Sequence, residues 1–287
     1  MKIDFIPNLT GVFGHPVAEN PTVLMMEAGY KAVGLDNWKY LTLEISPEKL
    51  KEAISCLRTF NMKGIHLTIP HKVAVLEYLD EISSVAKTMG AVNTVHNIDG
   101  KLVGENTDGK GFMESLRKDA NINPKGKKVI ILGAGGAARA ISVELAFAGV
   151  DSITIVNRNS KRGEELVQLL SESTTLSVDY VPWESLLSIP SNLDILVQAT
   201  SIGLYPNTDK PNINYNSLQS GILVCDVVPN PPQTMFLKEV TRCGCKTLDG
   251  LGMLVYQGAL ALTMWTDKTA PIREMRQALI DFFNSND

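Results

Sequence analysis

Short apolar runs alternate along this chain with longer segments in which apolar residues recur every three or four positions. The short runs are typical of buried strands, and the longer segments are typical of helices with one buried face. Over the first third, the pattern predicts strands at 9–14, 38–45 and 64–69, a hairpin of 91–96 and 101–105, and helices opening near Pro21 and Ser46. Strands alternating with helices predict an α/β layer.

A second alternation follows the polar segment 106–109. It predicts strands at 128–132, 152–156, 177–181, 195–199 and 223–226, with helices between them. Repeated strand–helix units of this kind predict a doubly wound parallel sheet. Two apolar helices at 253–265 and 272–283 are too few to fold alone, so we expect them to pack on the first layer. We therefore predict two α/β domains, one of residues 1–107 with 250–287 and one of residues 108–249.

Composition excludes several classes of protein. The 287 residues carry a net charge of −4, so no basic excess points to nucleic acid or to acidic membranes. No apolar run is long enough to cross a bilayer, and the N-terminus lacks the apolar core of a signal peptide. The four cysteines have neither metal-ligand spacing nor a disulfide-dense pattern. We expect a cytoplasmic protein without a metal, and the sequence leaves open whether it forms a homodimer.

The strand at 128–132 runs into a glycine-rich turn, Gly133-Ala134-Gly135-Gly136-Ala137-Ala138. A strand, this Gly-x-Gly-x-x-Ala turn and a helix form the arrangement that binds dinucleotides. In that arrangement Gly133 permits the tight turn, Gly135 lets a pyrophosphate approach the backbone, and Ala138 keeps helix and strand close. Free N–H groups at the helix start then face the phosphates. A tight turn in any α/β protein is the ordinary alternative, and the strand-and-helix context favours the nucleotide site.

The end of the next strand indicates which nucleotide binds. An acidic residue there would hold the ribose of NAD, but the chain has Asn157-Arg158-Asn159-Ser160-Lys161-Arg162 instead. Three cations and no carboxylate suit the 2′-phosphate of NADP. The ordinary alternative is a solvated charge run that opens a helix. We predict NADP, read by Arg158 and Arg162.

Seven motifs, in order over nearly the whole chain, resemble those of the shikimate dehydrogenase family. They are Gly64–Lys72 (GIHLTIPHK), Gly90–Thr94 (GAVNT), Asn106–Gly109 (NTDG), Gly133–Ala137 (GAGGA), Asn157–Asn159 (NRN), Ala199–Leu204 (ATSIGL) and Gly250–Gly258 (GLGMLVYQG). The resemblance implies an N-terminal substrate domain and a Rossmann-type NADP domain with a cleft between them. It also implies reversible, NADP-dependent reduction of 3-dehydroshikimate to shikimate, a step towards chorismate and the aromatic amino acids.

The resemblance assigns roles residue by residue. Lys72 would be the catalytic group that passes a proton, and Asp108 would hold the lysine and accept a hydrogen bond from a substrate hydroxyl. The implied substrate-binding residues are Thr68, Asn93, Gln257, His66 and Asn20. The implied cofactor-binding residues are Gly133, Ala134, Gly135, Gly136, Ala137, Asn157, Arg158, Asn159, Arg162, Thr200, Gly250 and Met253. Without the resemblance, Lys72 would pass for a surface charge and Asn93 for a turn residue.

Two departures from the family pattern concern the substrate carboxylate. The family usually has Ser-x-Ser-Pro before its first long helix, and its two hydroxyls hold that carboxylate. Here Glu19-Asn20-Pro21 stands in that place with neither serine. The helix N-terminus could still bind an anion, while Glu19 would oppose it if its side chain faces the cleft. The second departure is His66, where the family usually has asparagine; a charged histidine could recover some carboxylate affinity.

Three functions therefore stay open. The leading hypothesis is an NADP-dependent dehydrogenase of shikimate. A second is a paralogue for quinate, another cyclic polyol or a ring that lacks the carboxylate. A third is a nucleotide-binding sensor without turnover, against which Lys72 and Asp108 argue because a sensor has no need of a proton-transfer pair.

Overall fold

The computed structural model describes residues 5–286. It forms two compact units. Unit 1 contains the described residues up to Thr107 and those from Val255 onward, and unit 2 is Asp108–Leu254. The chain returns to unit 1 at Val255, not at residue 250. The first turn of the last-but-one helix stays in unit 2, where a Cβ on Gly250 would lie 2.5 Å from the Val228 carbonyl oxygen.

Unit 1 is built on a mixed six-stranded sheet. Its strands are β1 (Asn8–Gly14), β2 (Trp38–Glu44), β3 (Gly64–Leu67), β4 (Glu81–Ile82), β5 (Thr94–Ile98) and β6 (Lys101–Glu105). They lie in the order β2-β1-β3-β5-β6-β4. Strands β1, β2 and β3 are parallel, whereas β5 runs antiparallel to both β3 and β6. The carboxyl ends of β1 and β3 therefore meet at one edge of the sheet.

Helices cover both faces of this sheet. They are α1 (Thr22–Ala32), α2 (Leu50–Thr59), α3 (His71–Ala74), α4 (Ser84–Met89), the part of α9 (Gly250–Thr266) from Val255 onward and α10 (Ile272–Asn286), with 3₁₀ turns at Pro47–Lys49 and Val75–Tyr78. On one face, Leu50, Ile54 and Leu57 of α2 pack into the core against Ile65 and its strand neighbours. On the other, the Trp265 indole of α9 donates to the Val95 carbonyl at 3.1 Å.

Unit 2 contains a parallel six-stranded sheet. Its strands are β7 (Lys128–Leu132), β8 (Ser152–Asn157), β9 (Ser177–Pro182), β11 (Ile195–Gln198), β13 (Leu223–Asp226) and β14 (Lys246–Leu248), and a separate pair is formed by β10 (Leu187–Ser188) and β12 (Ile213–Asn214). The order β14-β13-β11-β7-β8-β9 has the strand order of a Rossmann sheet, reversing direction beside β7. Its helices are α5 (Asp108–Lys118), α6 (Gly136–Phe147), α7 (Ser160–Ser173) and α8 (Met235–Arg242), with a 3₁₀ turn at Tyr215–Ser217. The predicted α/β class and doubly wound sheet are confirmed.

The differences from prediction lie at element ends and in the shortest elements. The two-residue strands β4, β10 and β12 were not expected, because so short a segment shows no periodicity. The hairpin turn is tighter than expected: β5 extends to Ile98, and Asp99 and Gly100 reverse the chain with φ values of 51° and 90°. Among residues 5–286, every helix is too short or too polar to cross a bilayer.

Candidate active site

A buried polar cluster lies beside the carboxyl end of β3 in unit 1. The Asn93 amide nitrogen donates to Thr107 Oγ1 at 2.9 Å and to Gln257 Oε1 at 3.2 Å. The Asn93 side-chain oxygen Oδ1 accepts from the Thr107 backbone N–H at 2.7 Å. Two of the predicted substrate-binding residues, 164 positions apart, are thus brought together. Thr107 was not among the predicted site residues, although it stands inside the Asn-Thr-Asp-Gly motif.

The segment that carries Lys72 is held from both sides. The His71 backbone N–H donates to the Thr68 carbonyl at 2.8 Å, and the His71 ring nitrogen Nε2 lies 2.7 Å from the Ile45 carbonyl. The Val92 N–H donates to the Lys72 carbonyl at 2.8 Å. Because Val92 precedes Asn93, the backbone of Lys72 is fixed next to the polar cluster, and its side chain is half-buried.

The loop between β1 and α1 begins beside Thr68. The His15 N–H donates to the Ile69 carbonyl at 2.8 Å, and a Cβ on Gly14 would collide with the Thr68 methyl group. The segment in which the family has its two serines therefore starts next to a predicted substrate-binding residue. Glu19 within it is half-buried.

Asn20 is engaged with its own turn. Its side-chain oxygen accepts from both the N–H, at 3.0 Å, and the hydroxyl of Thr22. Asparagine is a good N-cap residue, but the cap position belongs to Pro21 and α1 begins at Thr22. The hydrogen bonds to Thr22 explain the shift, because they close a turn one residue before the helix. That oxygen would be the wrong partner for a carboxylate in any case, since it is an acceptor.

His66 is buried, with 4% of its surface exposed, on β3. Burial, reinforced by the nearby Lys72 ammonium, lowers its pKa to about 3. The side chain is therefore neutral at any physiological pH. The suggestion that a charged His66 recovers carboxylate affinity is wrong, because a cation at this depth would lose its hydration beside another cation.

In unit 2, the glycine-rich turn has the shape that a dinucleotide requires. Gly133 has φ +112°, and a Cβ there would lie 2.9 Å from the Ala199 carbonyl oxygen, so the fold itself demands glycine. Gly135 differs: its φ is −84°, and a Cβ would meet no atom within 4 Å. It is also the N-cap of α6 and gives that helix no side-chain cap. Open space above uncapped helix N–H groups fits a pyrophosphate.

The basic segment after β8 opens α7. The Asn159 side chain caps this helix by accepting from the Arg162 N–H at 3.0 Å, and the Asn157 amide donates to the Asn159 carbonyl at 2.8 Å. Arg158 and Arg162 are both exposed. The two asparagines therefore shape the turn, and the two arginines carry cations that a ligand phosphate could reach.

Two further loops leave the same edge of this sheet. Gln198, buried at the end of β11, accepts from the N–H and hydroxyl of Thr200 at 2.6 and 2.7 Å. Asp226, buried at the end of β13, accepts from the Val228 N–H at 3.1 Å and from the Thr234 hydroxyl at 2.7 Å. Burial raises the pKa of Asp226 to about 6. Neither anchor was a predicted site residue; a polar residue ending an apolar strand was the available signal.

The remaining predicted residues also lie in unit 2. Asp108 is the buried first residue of α5, a favourable place for a carboxylate because of the helix dipole. A Cβ on the neighbouring Gly109 would lie 2.5 Å from the Ala140 carbonyl oxygen, so α5 packs closely on α6. The other predicted cofactor-binding residues lie in the glycine-rich turn and in the first turn of α9. In the glycine-rich turn Ala134 is buried and Gly136 and Ala137 are half-buried, and in α9 Gly250 and Met253 are buried. Within the described residues, no cluster of His, Cys, Asp and Glu could hold a metal.

Three family models match successive parts of the chain. They are the shikimate dehydrogenase substrate binding domain over residues 12–95, shikimate / quinate 5-dehydrogenase over residues 115–227 and the shikimate 5′-dehydrogenase C-terminal domain over residues 250–280. A curated relative, the NADP(+) shikimate dehydrogenase of Desulforamulus reducens, is 44% identical over 97% of this chain and 96% of its own length. The chain belongs to the shikimate dehydrogenase family.

Solved structures of similar proteins share the fold of this chain. A shikimate dehydrogenase in complex with NADP+ has a TM-score of 0.90 at 37% identity and covers 98% of both chains. The ligand-free 5-ketofructose reductase of Gluconobacter sp. strain CHM43 has a TM-score of 0.87 at 45% identity, covering 98% of this chain and all of that one. Within the family, this chain is an oxidoreductase with a Rossmann nucleotide-binding unit, as the sequence motifs indicate.

Proposed function

We propose that this chain is an NADP-dependent dehydrogenase that interconverts a cyclic polyhydroxy ketone and its alcohol, with 3-dehydroshikimate and shikimate as the leading pair. The observation that carries the proposal is the hydrogen-bonded pair of Asn93 and Gln257, next to the segment that bears Lys72. Relatives named NADP(+) shikimate dehydrogenase that align over nearly the whole chain support it. The cofactor is NADP.

The residues of the nucleotide unit fit this cofactor. The open side of Gly135 and the uncapped start of α6 would hold the pyrophosphate, and Arg158 and Arg162 would hold the 2′-phosphate. Bound NADP(H) supplies or accepts the hydride. Unit 2 would thus be the NADP-binding domain and unit 1 the substrate-binding domain.

A side chain of this protein would supply the proton that the reduction needs. When the ketone is reduced, its carbon gains the hydride and its oxygen takes a proton from the Lys72 ammonium; in the reverse direction the amine takes that proton back. Asp108 would hold the ammonium by a charge-assisted hydrogen bond. Asn93 and Gln257, each with donor and acceptor groups, would fix the neighbouring ring hydroxyls so that the reacting carbon is presented in one orientation.

A second substrate class is an uncharged polyhydroxy ketone. Two observations favour it: the segment Glu19-Asn20-Pro21 lacks the family's serines, and a structural relative at 45% identity is a 5-ketofructose reductase. Neutral His66 adds no charge that could hold a carboxylate in their place. Both substrate classes use the same hydride chemistry.

The test is a direct assay of the purified chain. Shikimate, quinate and 5-ketofructose are offered in turn with NADP(H) and with NAD(H), and the absorbance of the reduced nicotinamide is followed. Turnover with one of these substrates and NADP(H) supports the proposal. A chain that binds NADP and turns over none of them would be the nucleotide-binding sensor instead.

We also propose that the protein is cytoplasmic. That it forms a homodimer stays a prediction. The four cysteines, all free thiols, fit a reducing compartment. Light scattering after gel filtration decides the oligomeric state.

A further inference from the structure

The ring of His66 is clamped between two aromatic side chains in unit 1. Its nitrogen Nδ1 lies 2.7 Å from the Tyr40 hydroxyl, and its centroid lies 4.7 Å from that of Trp265. Trp265 is itself fixed by its bond to the Val95 carbonyl, and Gly64 leaves the room that its indole occupies. His66 therefore has one orientation.

The hydrogen bond to Tyr40 fixes the tautomer of His66. Burial raises the pKa of Tyr40, so the phenol keeps its proton. Among residues 5–286, Nδ1 is the acceptor available to that buried hydroxyl. The phenol O–H therefore donates to Nδ1, and the single proton of the neutral imidazole lies on Nε2.

The opposite nitrogen is buried and unsatisfied. Nε2 finds no hydrogen-bond partner among the residues that the structure describes. A buried N–H without an acceptor is unfavourable, and such groups in native proteins call for a water or a ligand. Thr68 lies two residues further along the chain, and Lys72 is close enough for its charge to act on His66. The unsatisfied donor thus lies on the strand that leads into the segment bearing Lys72.

We propose that His66 Nε2–H is a specificity-determining donor that binds a hydroxyl or carbonyl oxygen of an uncharged polyhydroxy ketone, and that this chain prefers such a ketone to a ring bearing a carboxylate. The proposal rests on the proposed dehydrogenase function and selects between its two substrate classes. One neutral donor matches one neutral oxygen. A single N–H donor cannot replace the two serine hydroxyls usual in the family, so the charge of a substrate carboxylate would be poorly stabilised.

A role confined to packing would explain the contacts with Tyr40 and Trp265 but not the unsatisfied nitrogen. The two roles differ in what they predict for specificity. Loss of a packing contact impairs the use of every substrate alike, whereas loss of a substrate donor changes the ratio between substrates.

The experiment compares kcat/KM for 5-ketofructose and for 3-dehydroshikimate in four proteins: wild type, His66→Asn, Tyr40→Phe and His96→Asn. His66→Asn restores the residue usual in the family. Tyr40→Phe removes the hydroxyl that fixes the His66 tautomer while leaving the imidazole in place. His96→Asn is the matched control, because His96 is a half-buried histidine on the neighbouring strand β5.

We expect wild type to prefer 5-ketofructose. We expect His66→Asn to lower the ratio of the two kcat/KM values by about tenfold, because the shorter amide cannot place its N–H where the imidazole Nε2–H lies. We expect Tyr40→Phe to lower the ratio by less and His96→Asn to leave it unchanged. Equal losses with both substrates, or a wild-type preference for 3-dehydroshikimate, would overturn the proposal while leaving the dehydrogenase function intact. If His66→Asn fails to fold, Tyr40→Phe alone decides: an unchanged ratio overturns the proposal. Failure of wild type on every ketone, with NADP still bound, would instead defeat the proposed function.

Discussion

The carboxyl edges of the two sheets are built in different ways. In unit 2 the proposed nucleotide side is mainly backbone: a turn that requires glycine at position 133, an open Gly135 and an uncapped helix. In unit 1 it consists of side chains bonded to one another, with Asn93 joined to Thr107 and Gln257. A backbone cradle suits any dinucleotide, whereas a network of side chains must match one substrate.

This difference explains where the chain departs from its family. The turn that we propose for the pyrophosphate keeps its glycines, and any change at Gly133 would strain the fold itself. The substrate edge could change one residue at a time without such strain: His66 packs between Tyr40 and Trp265, and Asn20 closes its own turn. Variation is therefore expected in the substrate unit, and cofactor use is expected to stay constant.

The largest effect should come from Lys72→Ala. It removes the proposed proton donor, so turnover should fall by ~10² to 10⁴-fold while NADP affinity stays unchanged, because the nucleotide cradle lies in unit 2. Steady-state kinetics and NADP titration measure the two quantities. Lys87→Ala, on the exposed face of α4, is the matched control and should keep full turnover. Near-normal turnover of Lys72→Ala would remove the lysine from the mechanism.

Two glycine variants test whether the cradle is a ligand site or only a turn. Gly135→Val should fold normally, since its φ and surroundings admit a side chain, yet lose roughly a hundredfold or more in NADP affinity by blocking the pyrophosphate. Gly133→Ala should instead lose about 1–3 kcal/mol of unfolding free energy because of its positive φ. Thermal melts and NADP titration separate these outcomes. Unchanged NADP affinity in Gly135→Val would place the pyrophosphate elsewhere.

Asp226 should make unit 2 sensitive to pH. Its pKa rises from 3.8 to about 6 in the folded chain, so the native state binds the proton more tightly than the unfolded state does. The resulting stability is fully present below pH 3.8 and is lost as the pH rises through about 6, a change of about 3 kcal/mol. Asp226→Asn should flatten this part of the stability profile, measured by urea unfolding from pH 4 to pH 7. An equally steep profile in the variant would assign the slope to other groups.

Much of the fold could be predicted from the sequence because its signals are local. The apolar run Lys128–Leu132 predicts a buried strand. The glycine-rich turn that starts at Gly133 predicts a phosphate-binding turn directly after it. The same holds for the seven family motifs, each of which is continuous in the chain. The start of α1 is an exception: Asn20 is a good N-cap residue, but its side chain closes a turn before the helix instead.

What could not be predicted depends on contacts between distant residues. His66 is neutral because it is buried against Trp265 and because the Lys72 ammonium disfavours a second positive charge. The sequence of β3 shows neither neighbour. The anchoring roles of Gln198 and Asp226 likewise appear only when the loops after β11 and β13 are folded. The sequence pattern therefore predicts the turns of the proposed nucleotide site but not the side chains that anchor the neighbouring loops.

Arg158→Ala should affect the cofactor moderately and selectively. A charge-assisted hydrogen bond contributes roughly 1.5–3 kcal/mol, so the Michaelis constant for NADP should rise about tenfold to a hundredfold, with that for NAD nearly unchanged. Initial rates with both cofactors give the comparison. An equal rise with NAD would show that Arg158 does not read the 2′-phosphate.

The smallest effect concerns the segment that replaces the family's serines. Glu19 lies in the loop that starts beside Thr68, and its carboxylate would repel that of shikimate. With both serine hydroxyls absent, we expect weak use of shikimate by the wild type, and a gain of about tenfold in kcat/KM for Glu19→Ser, because the substitution removes a like charge and restores one donor. NADP affinity should not change, and Glu52→Ser, on the exposed face of α2, should leave both quantities as they are. Kinetics at saturating NADP supply the numbers. A wild-type Michaelis constant for shikimate in the low micromolar range would contradict this reasoning, since other donors would then already hold the carboxylate and the departure at 19–21 would have no bearing on specificity.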